Sequence, residues 1–273
     1  MAKTKKVVSN LTTHQGTTIR HINVEELPNA IVIVGLPGIG LVSKLTVDNM
    51  VKTLKAKKIA SVYSPHFPNQ VISMPNGKLR PFGLHVYIAK TKGKNLIFIR
   101  GDMQPITIEG QYEVSVALLE FLKKLKATTV IAMAGYAINK KIDKPKTYVS
   151  STNKELLAKI IKAGSGKSES AVPIVGMAGL LPGLSPMYSM AGTCILVETP
   201  GPVVDANGAT VLTNLLCKHL GIKVDSSNLF AIAKKTSGMI EQFEKQGKTP
   251  EAVVGANNSV TELAKRDTLS YIR

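Results

Sequence analysis

Hydrophobic residues fall along this chain in two rhythms. Short unbroken apolar runs recur at 31–34, 59–62, 96–99, 129–133, 172–175 and 194–197, most of them rich in Val and Ile. Runs this short, with no polar alternation, predict strands buried on both faces of a mainly parallel sheet. Between several of them the apolar positions repeat at helical spacing: Val114, Leu118, Phe121, Leu122 and Leu125, then Val211, Leu212, Leu215, Leu216 and Leu220. Leu229, Ile232, Ala233, Met239, Ile240 and Phe243 continue that rhythm near the end. Strands alternating with helices imply crossover units, so the fold class is α/β, a mainly parallel or mixed central sheet flanked by helices. No internal repeat is visible. Segments 139–147 and 164–170 are rich in Lys, Gly and Ser and read as surface loops. After Pro250 the strong periodicity stops. The expected organisation is one α/β domain over 1–246 and a flexible tail over 247–273, with at most a short helix around 260–266.

Composition narrows the picture. At 273 residues and 44% hydrophobic content the chain can bury a sizeable core, but only 19% of it is charged, against about 25% in soluble domains. That deficit suggests a surface covered by a partner. No apolar run approaches the ~20 residues of a membrane helix, and Met1-Ala-Lys-Thr-Lys-Lys-Val7 leads into no apolar stretch of the signal-peptide kind. Cys194 and Cys217 both lie among apolar neighbours and read as buried hydrophobes of a reducing compartment. A cytoplasmic protein without membrane contact is the expectation.

The net charge of +17 points toward an anionic partner. Yet 30 of the 35 basic residues are Lys, spread in short pairs such as Lys57-Lys58 and Lys123-Lys124, and there is no Trp. Base and phosphate readout favours the Arg fork, and single strands favour aromatic platforms. The pattern argues against nucleic acid and for solvated lysines, or a positive field that attracts an acidic protein surface.

Four glycine-rich turns follow predicted strands. Gly35-Leu-Pro-Gly-Ile-Gly40, with Pro37 and Gly38 inside it, has the glycine spacing of a P-loop. Leu41 and Val42, however, stand where that loop needs Lys and Ser/Thr, so close helix–strand packing is the better reading of its glycines. Gly101-Asp-Met-Gln-Pro105 precedes a helix opening at 106–113, and Gly176-Met-Ala-Gly-Leu-Leu-Pro-Gly-Leu-Ser-Pro186 and Glu198-Thr-Pro-Gly-Pro202 follow the last two strands. In a parallel sheet all four would emerge at the strands' carboxyl ends, where α/β proteins place their sites. Asp102, Gln104, Glu109, Gln111, Tyr112, Glu198 and Asp205 would be the polar groups gathered there. An enzyme would use Asp102 and Glu198 as an acid/base pair. The plainer reading makes Asp102 a turn residue and Glu109 and Glu113 first-turn helix charges. No Ser-His-Asp or Cys-His set and no metal-ligand spacing of the five His is apparent, and no cofactor is expected.

Taken in order, Gly35-Leu-Pro-Gly-Ile-Gly-Leu-Val42, Ser64-Pro-His-Phe-Pro-Asn-Gln-Val71, Gly101-Asp-Met-Gln-Pro105 with Glu109-Gly-Gln-Tyr-Glu113, Ala134-Gly-Tyr136, Gly179-Leu-Leu-Pro-Gly183 and Glu198-Thr-Pro-Gly201 resemble the archaeal branch of the proteasome assembly chaperone family. The resemblance covers about residues 20–246. It implies a nucleoside-phosphorylase-like sheet flanked by helices, self-association into homo-oligomers, and binding to the α-ring of the proteasome core particle as assembly factor or activator.

Proteasome activators of several kinds carry a terminal hydrophobic–Tyr–any motif that enters a pocket between α-subunits. Here the sequence closes Leu269-Ser-Tyr-Ile-Arg273, with Tyr271 third from the end. The resemblance makes Tyr271 the anchor, Leu269 and Ile272 its apolar neighbours and the Arg273 carboxylate a partner for a pocket Lys. The leading expectation is therefore a non-catalytic protein-binding factor. A small-molecule enzyme, nucleoside-like or ATP-grasp-like, acting at the glycine-rich strand ends is the alternative, and a basic RNA-associated protein the third.

Overall fold

The computed structural model describes residues 9–74, 76–138, 140, 142–168 and 172–245. In chain order these form β1 (Ser9–His14), β2 (Thr17–Ile22), β3 (Ala30–Gly35), a 3-10 turn at Ile39–Leu41, α1 (Val42–Thr53), β4 (Lys57–Tyr63), β5 (Val71–Ser73), β6 (Leu79–Pro81), β7 (Leu84–Thr91) and β8 (Lys94–Gly101). There follow α2 (Ile108–Lys124), β9 (Ala127–Ala137), β10 (Thr147–Ser151), α3 (Lys154–Ala163), β11 (Gly166–Lys167), α4 (Met177–Leu184), a 3-10 turn at Ser185–Tyr188, β12 (Ala191–Thr199), α5 (Ala206–Leu220) and α6 (Leu229–Lys245).

Ten strands make one mixed sheet in the order β1-β2-β4-β7-β8-β3-β9-β12-β10-β11, while β5 and β6 pair separately. The centre, β8-β3-β9-β12, is parallel. On one flank β7, β4, β2 and β1 are added antiparallel, and on the other β10 runs antiparallel to β12.

The central strands are apolar throughout because both faces are covered. Val32 and Val34 of β3 pack with Val114, Leu118 and Leu122 of α2 and Leu181 of α4. Ile33, pointing the other way, packs with Val47 and Met50 of α1 and Leu212 and Leu216 of α5. Helix ends follow capping chemistry. Thr107 Oγ1 accepts from Gly110 N, Asn153 Oδ1 from Leu156 N and Asp205 Oδ1 from Gly208 N. Gly221, at φ 65°, closes α5 in the left-handed conformation that glycine takes most cheaply.

Five of the six apolar runs form strands, and the three helical patterns form α2, α5 and α6. The run at 172–175 does not: it forms no regular element, and Val175 is 60% exposed. Pro173 removes one ladder donor, and the segment leads into α4, where Ile174 O lies so close to Gly179 that a Cβ there would meet it at 2.3 Å. The loop expected at 164–170 is also partly strand, since Gly166 and Lys167 pair with Tyr148 and Val149.

Candidate functional site

The parallel strands end side by side, and side chains lock their turns together. Gln104, after β8, donates from Nε2 to Pro37 O of the turn after β3 at 2.7 Å. Its Oε1 accepts from Met177 N at the start of α4 at 3.1 Å. Gly40 O accepts from Asp205 N, which brings in the turn after β12. Four turns thus form one ridge although the segment before α4 is not a strand.

Two of the three glycines of the first turn, Gly35 and Gly40, serve packing, and Gly38 does not. A Cβ on Gly35 would lie 2.3 Å from Ser43 O, and one on Gly40, at φ 67°, would lie 2.7 Å from Thr199 Oγ1. Leu41 and Val42 are buried in apolar clusters, so α1 begins against the chain's own side chains. Thr199 Oγ1 and Asp205 Oδ2, both beside this turn, are buried without a hydrogen-bond partner among the described residues. Gly38 is open, with no atom within 4 Å of a Cβ, and so is Gly183, which lies exposed on α4.

Asp102 and Glu198 do not meet. Asp102 forms a forked pair with Arg80 of β6, with Arg80 Nη2 to Oδ1 at 3.0 Å and a second, shorter contact from Nη1 to Oδ2. Glu198, on β12, accepts from Lys146 N at 2.9 Å and from the Tyr148 hydroxyl at 2.8 Å. Their strands are three intervals apart in the sheet, about 14 Å at ~4.8 Å per interval, too far to serve one reacting bond. The acid/base pair expected of an enzyme is therefore not assembled.

Glu109 is exposed in the first turn of α2, Gln111 Nε2 donates to Pro105 O at 3.2 Å, and Tyr112 is 49% exposed. The more connected residue is Glu113. It accepts from Thr17 Oγ1 and faces His66 Nε2 at 3.4 Å, and His66 Nδ1 in turn lies 2.8 Å from Thr107 Oγ1. This chain of contacts fastens β2 and the 64–68 loop to the start of α2. Reading Glu113 as a helix-terminus charge missed it. No spacing in the sequence announced it, because His66 and Thr17 come from distant segments.

Around the ridge, large apolar side chains face outward: Ile106 at 65% exposure, Ile108 at 71%, Val175 at 60% and Met187 at 76%. Val175 adjoins Gly176, whose Cβ position lies 3.0 Å from Gln104 Oε1, and the 3-10 turn carrying Met187 packs against α2. Residues 171–197, which include α4 and most of β12, hold no Asp, Glu, Lys or Arg.

Among the described residues no three His, Cys, Asp or Glu side chains gather as a metal site, and no helix is long and apolar enough to cross a membrane. The tail residues Leu269, Tyr271, Ile272 and Arg273 lie outside the described residues.

Comparison with known proteins places these features. The sequence pattern of the PAC2 family matches residues 32–244. A curated protein of Methanocaldococcus jannaschii, itself uncharacterized, is 29% identical over 234 residues, 86% of this chain and 89% of that one. Pyrococcus furiosus PbaB, described as an archaeal proteasome activator, superposes with a TM-score of 0.75 at 31% identity, covering 84% of this chain and 99% of its own. Pyrococcus furiosus PbaA, described as an archaeal homolog of proteasome-assembly chaperone, superposes at 0.70 with 24% identity over 86% of this chain and 99% of its own, a likeness of fold.

Proposed function

This chain belongs to the PAC2 family, and from that premise we propose that it is a non-catalytic protein-binding factor, one that self-associates and binds α-subunits of the proteasome core particle as an assembly factor or activator. The observation that carries this reading is the 31% identity with PbaB over 99% of that activator's chain. Two features support a protein partner. Large apolar side chains such as Met187 and Ile108 are exposed beside an uncharged stretch, and apolar surface of this kind marks contact sites. A net charge of +17 favours an acidic partner surface.

In this reading the domain at 1–246 is the body and 247–273 the docking segment, in the cytoplasm. Tyr271 is the anchor, because an aromatic with a polar tip suits a pocket that is apolar inside and wet at its rim. Leu269, Ile272 and Arg273 flank it. Several copies on one oligomer bind with avidity. The ridge residues Gly35, Pro37, Gly40 and Gln104 hold the body rigid; Tyr112 borders its contact face.

The test measures binding of immobilised core particle by the full chain, by residues 1–246 and by Tyr271→Ala, with light scattering of each. A buried aromatic anchor is worth about 2 kcal/mol, roughly thirtyfold in affinity. Tyr271→Ala loses that factor in the isolated tail peptide, and the truncated chain keeps its oligomeric mass. Equal binding by truncated and full chains removes the tail from the reading. A mass of 29.2 kDa at micromolar concentration removes self-association.

A further inference from the structure

On the α1 side of the sheet, helices pack over β3, β8, β9, β10 and β12. At the border of that cover lies a cluster that the ridge does not use. In the antiparallel ladders His85 stands opposite Arg100 and Lys58 opposite Tyr87, so these four side chains share one face of β4, β7 and β8. Arg100 Nη1 is 3.1 Å from Asp48 Oδ1 of α1, and its guanidinium lies 5.5 Å from the centre of the Tyr87 ring. Arg80 reaches in from the β5–β6 hairpin, forks onto Asp102 and contacts His85 Nε2 at 3.2 Å.

The charges do not balance. Lys44, Lys58, Arg80 and Arg100 face only Asp48 and Asp102, and Lys58 has no carboxylate partner among the described residues. Lys58 is an exposed residue at the rim of the cluster; the desolvation its neighbours still impose, then Arg80 and Arg100, lower the pKa of its ammonium, with Asp102 opposing. Two guanidinium groups and an ammonium on one face repel one another, and an anion bound among them relieves that repulsion. His85 is 93% buried by its 7% side-chain exposure. Since Arg80 only donates, His85 Nε2 accepts, and the proton of the neutral ring sits on Nδ1, which is buried without a hydrogen-bond partner among the described residues. An unpaired donor thus adds to two excess positive charges.

We propose that Lys58, Arg80 and Arg100 form a binding site for a doubly charged oxyanion of the phosphate type, either the free ion or a phosphomonoester. The excess of two positive charges matches a dianion, whose oxygens would take the Lys58 ammonium and the guanidinium N–H groups that Asp48, Asp102 and His85 leave unused.

The test follows thermal unfolding and calorimetry of the full chain at fixed ionic strength, with chloride replaced by inorganic phosphate or by glycerol phosphate. The wild type gains a saturable rise in Tm with phosphate and none with chloride. Lys58→Met, free of one like charge, melts above wild type without phosphate and binds phosphate at least tenfold more weakly. Lys57→Met, which removes the same charge next door, leaves phosphate binding unchanged. Tighter binding of glycerol phosphate than of phosphate identifies a phosphorylated molecule as the ligand; the reverse identifies the free ion. No phosphate-specific rise, or the same rise in Lys58→Met as in wild type, overturns the site.

Discussion

The turn after β3 offers a decisive perturbation, because two of its glycines sit three residues apart in opposite surroundings. At Gly35 a methyl group would stand 2.3 Å from Ser43 O, 2.4 Å from Val47 Cγ2 and 2.6 Å from Val47 Cβ. Distances this short cannot be relieved by swinging one flexible side chain, since a backbone oxygen and a β-branched core residue on α1 stand in the way. The helix would have to move off the sheet. Overpacking of a tight core costs about 1–3 kcal/mol, and with three such contacts the upper end, about 3 kcal/mol, is the expected loss for Gly35→Ala. For a chain of this size that lowers Tm by about 6–12 °C, at ~2–4 °C per kcal/mol. Gly38 has φ −169°, an extended conformation open to any residue, and no atom within 4 Å of a Cβ. Gly38→Ala therefore stays within about 0.5 kcal/mol of wild type. Urea unfolding of both variants, with equal m-values required before midpoints are compared, provides the measurement. Equal stability of Gly35→Ala and wild type, or equal damage from both substitutions, refutes the packing account of this turn.

Further outcomes follow from single groups. Burial, with Lys58 nearby, pushes the His85 pKa from 6.5 down to about 4; a histidine depressed on folding supports stability above its unfolded pKa. That support is lost as pH falls from about 6.5 to 4, to the extent of about 3 kcal/mol, and His85→Gln should flatten this part of the stability–pH curve measured by denaturant unfolding. Arg80→Ala frees the β5–β6 hairpin from Asp102; with Arg80 30% exposed the global loss is only about 1 kcal/mol, while amide exchange within 71–81 accelerates, and unchanged exchange there would contradict the anchoring role. Burial pushes the Cys194 thiol up to about 12, so a thiol reagent labels it only as fast as the protein unfolds, and rapid native labelling would place it at the surface.

What the sequence revealed, and what it hid, follows from the physics of each element. The central strands were legible because both faces are buried, which leaves unbroken runs such as Ile31-Val-Ile-Val34. The flanking antiparallel strands alternate weakly and are shared with solvent. Thr17-Thr-Ile-Arg-His-Ile22 buries Thr17 and Ile19 while Arg20 is exposed. Their hairpins turn at Gln15-Gly16 and Lys92-Gly93, with both residues of each pair at positive φ, a geometry usually announced by Asn or Asp before the glycine. The run at 172–175 misled because apolar content was read without the cost of Pro173.

The ridge was legible in part for a related reason. Glycines that permit close approach leave a mark in the sequence, and Gly35 and Gly40 were read correctly as packing positions. Hydrogen-bonded side chains leave none, because their partners come from other segments. Gln104 joins Pro37 O to Met177 N across separations of 67 and 73 residues. Likewise Arg80 and Arg100 looked like scattered exceptions to a lysine-rich surface, yet the ladder places Arg100 opposite His85, whose Nε2 Arg80 contacts from the β5–β6 hairpin. A rare residue dispersed in sequence and gathered by the sheet reports on a local need that composition averages away. Here that need is charge held in one place, whereas the many lysines serve the field of the whole surface.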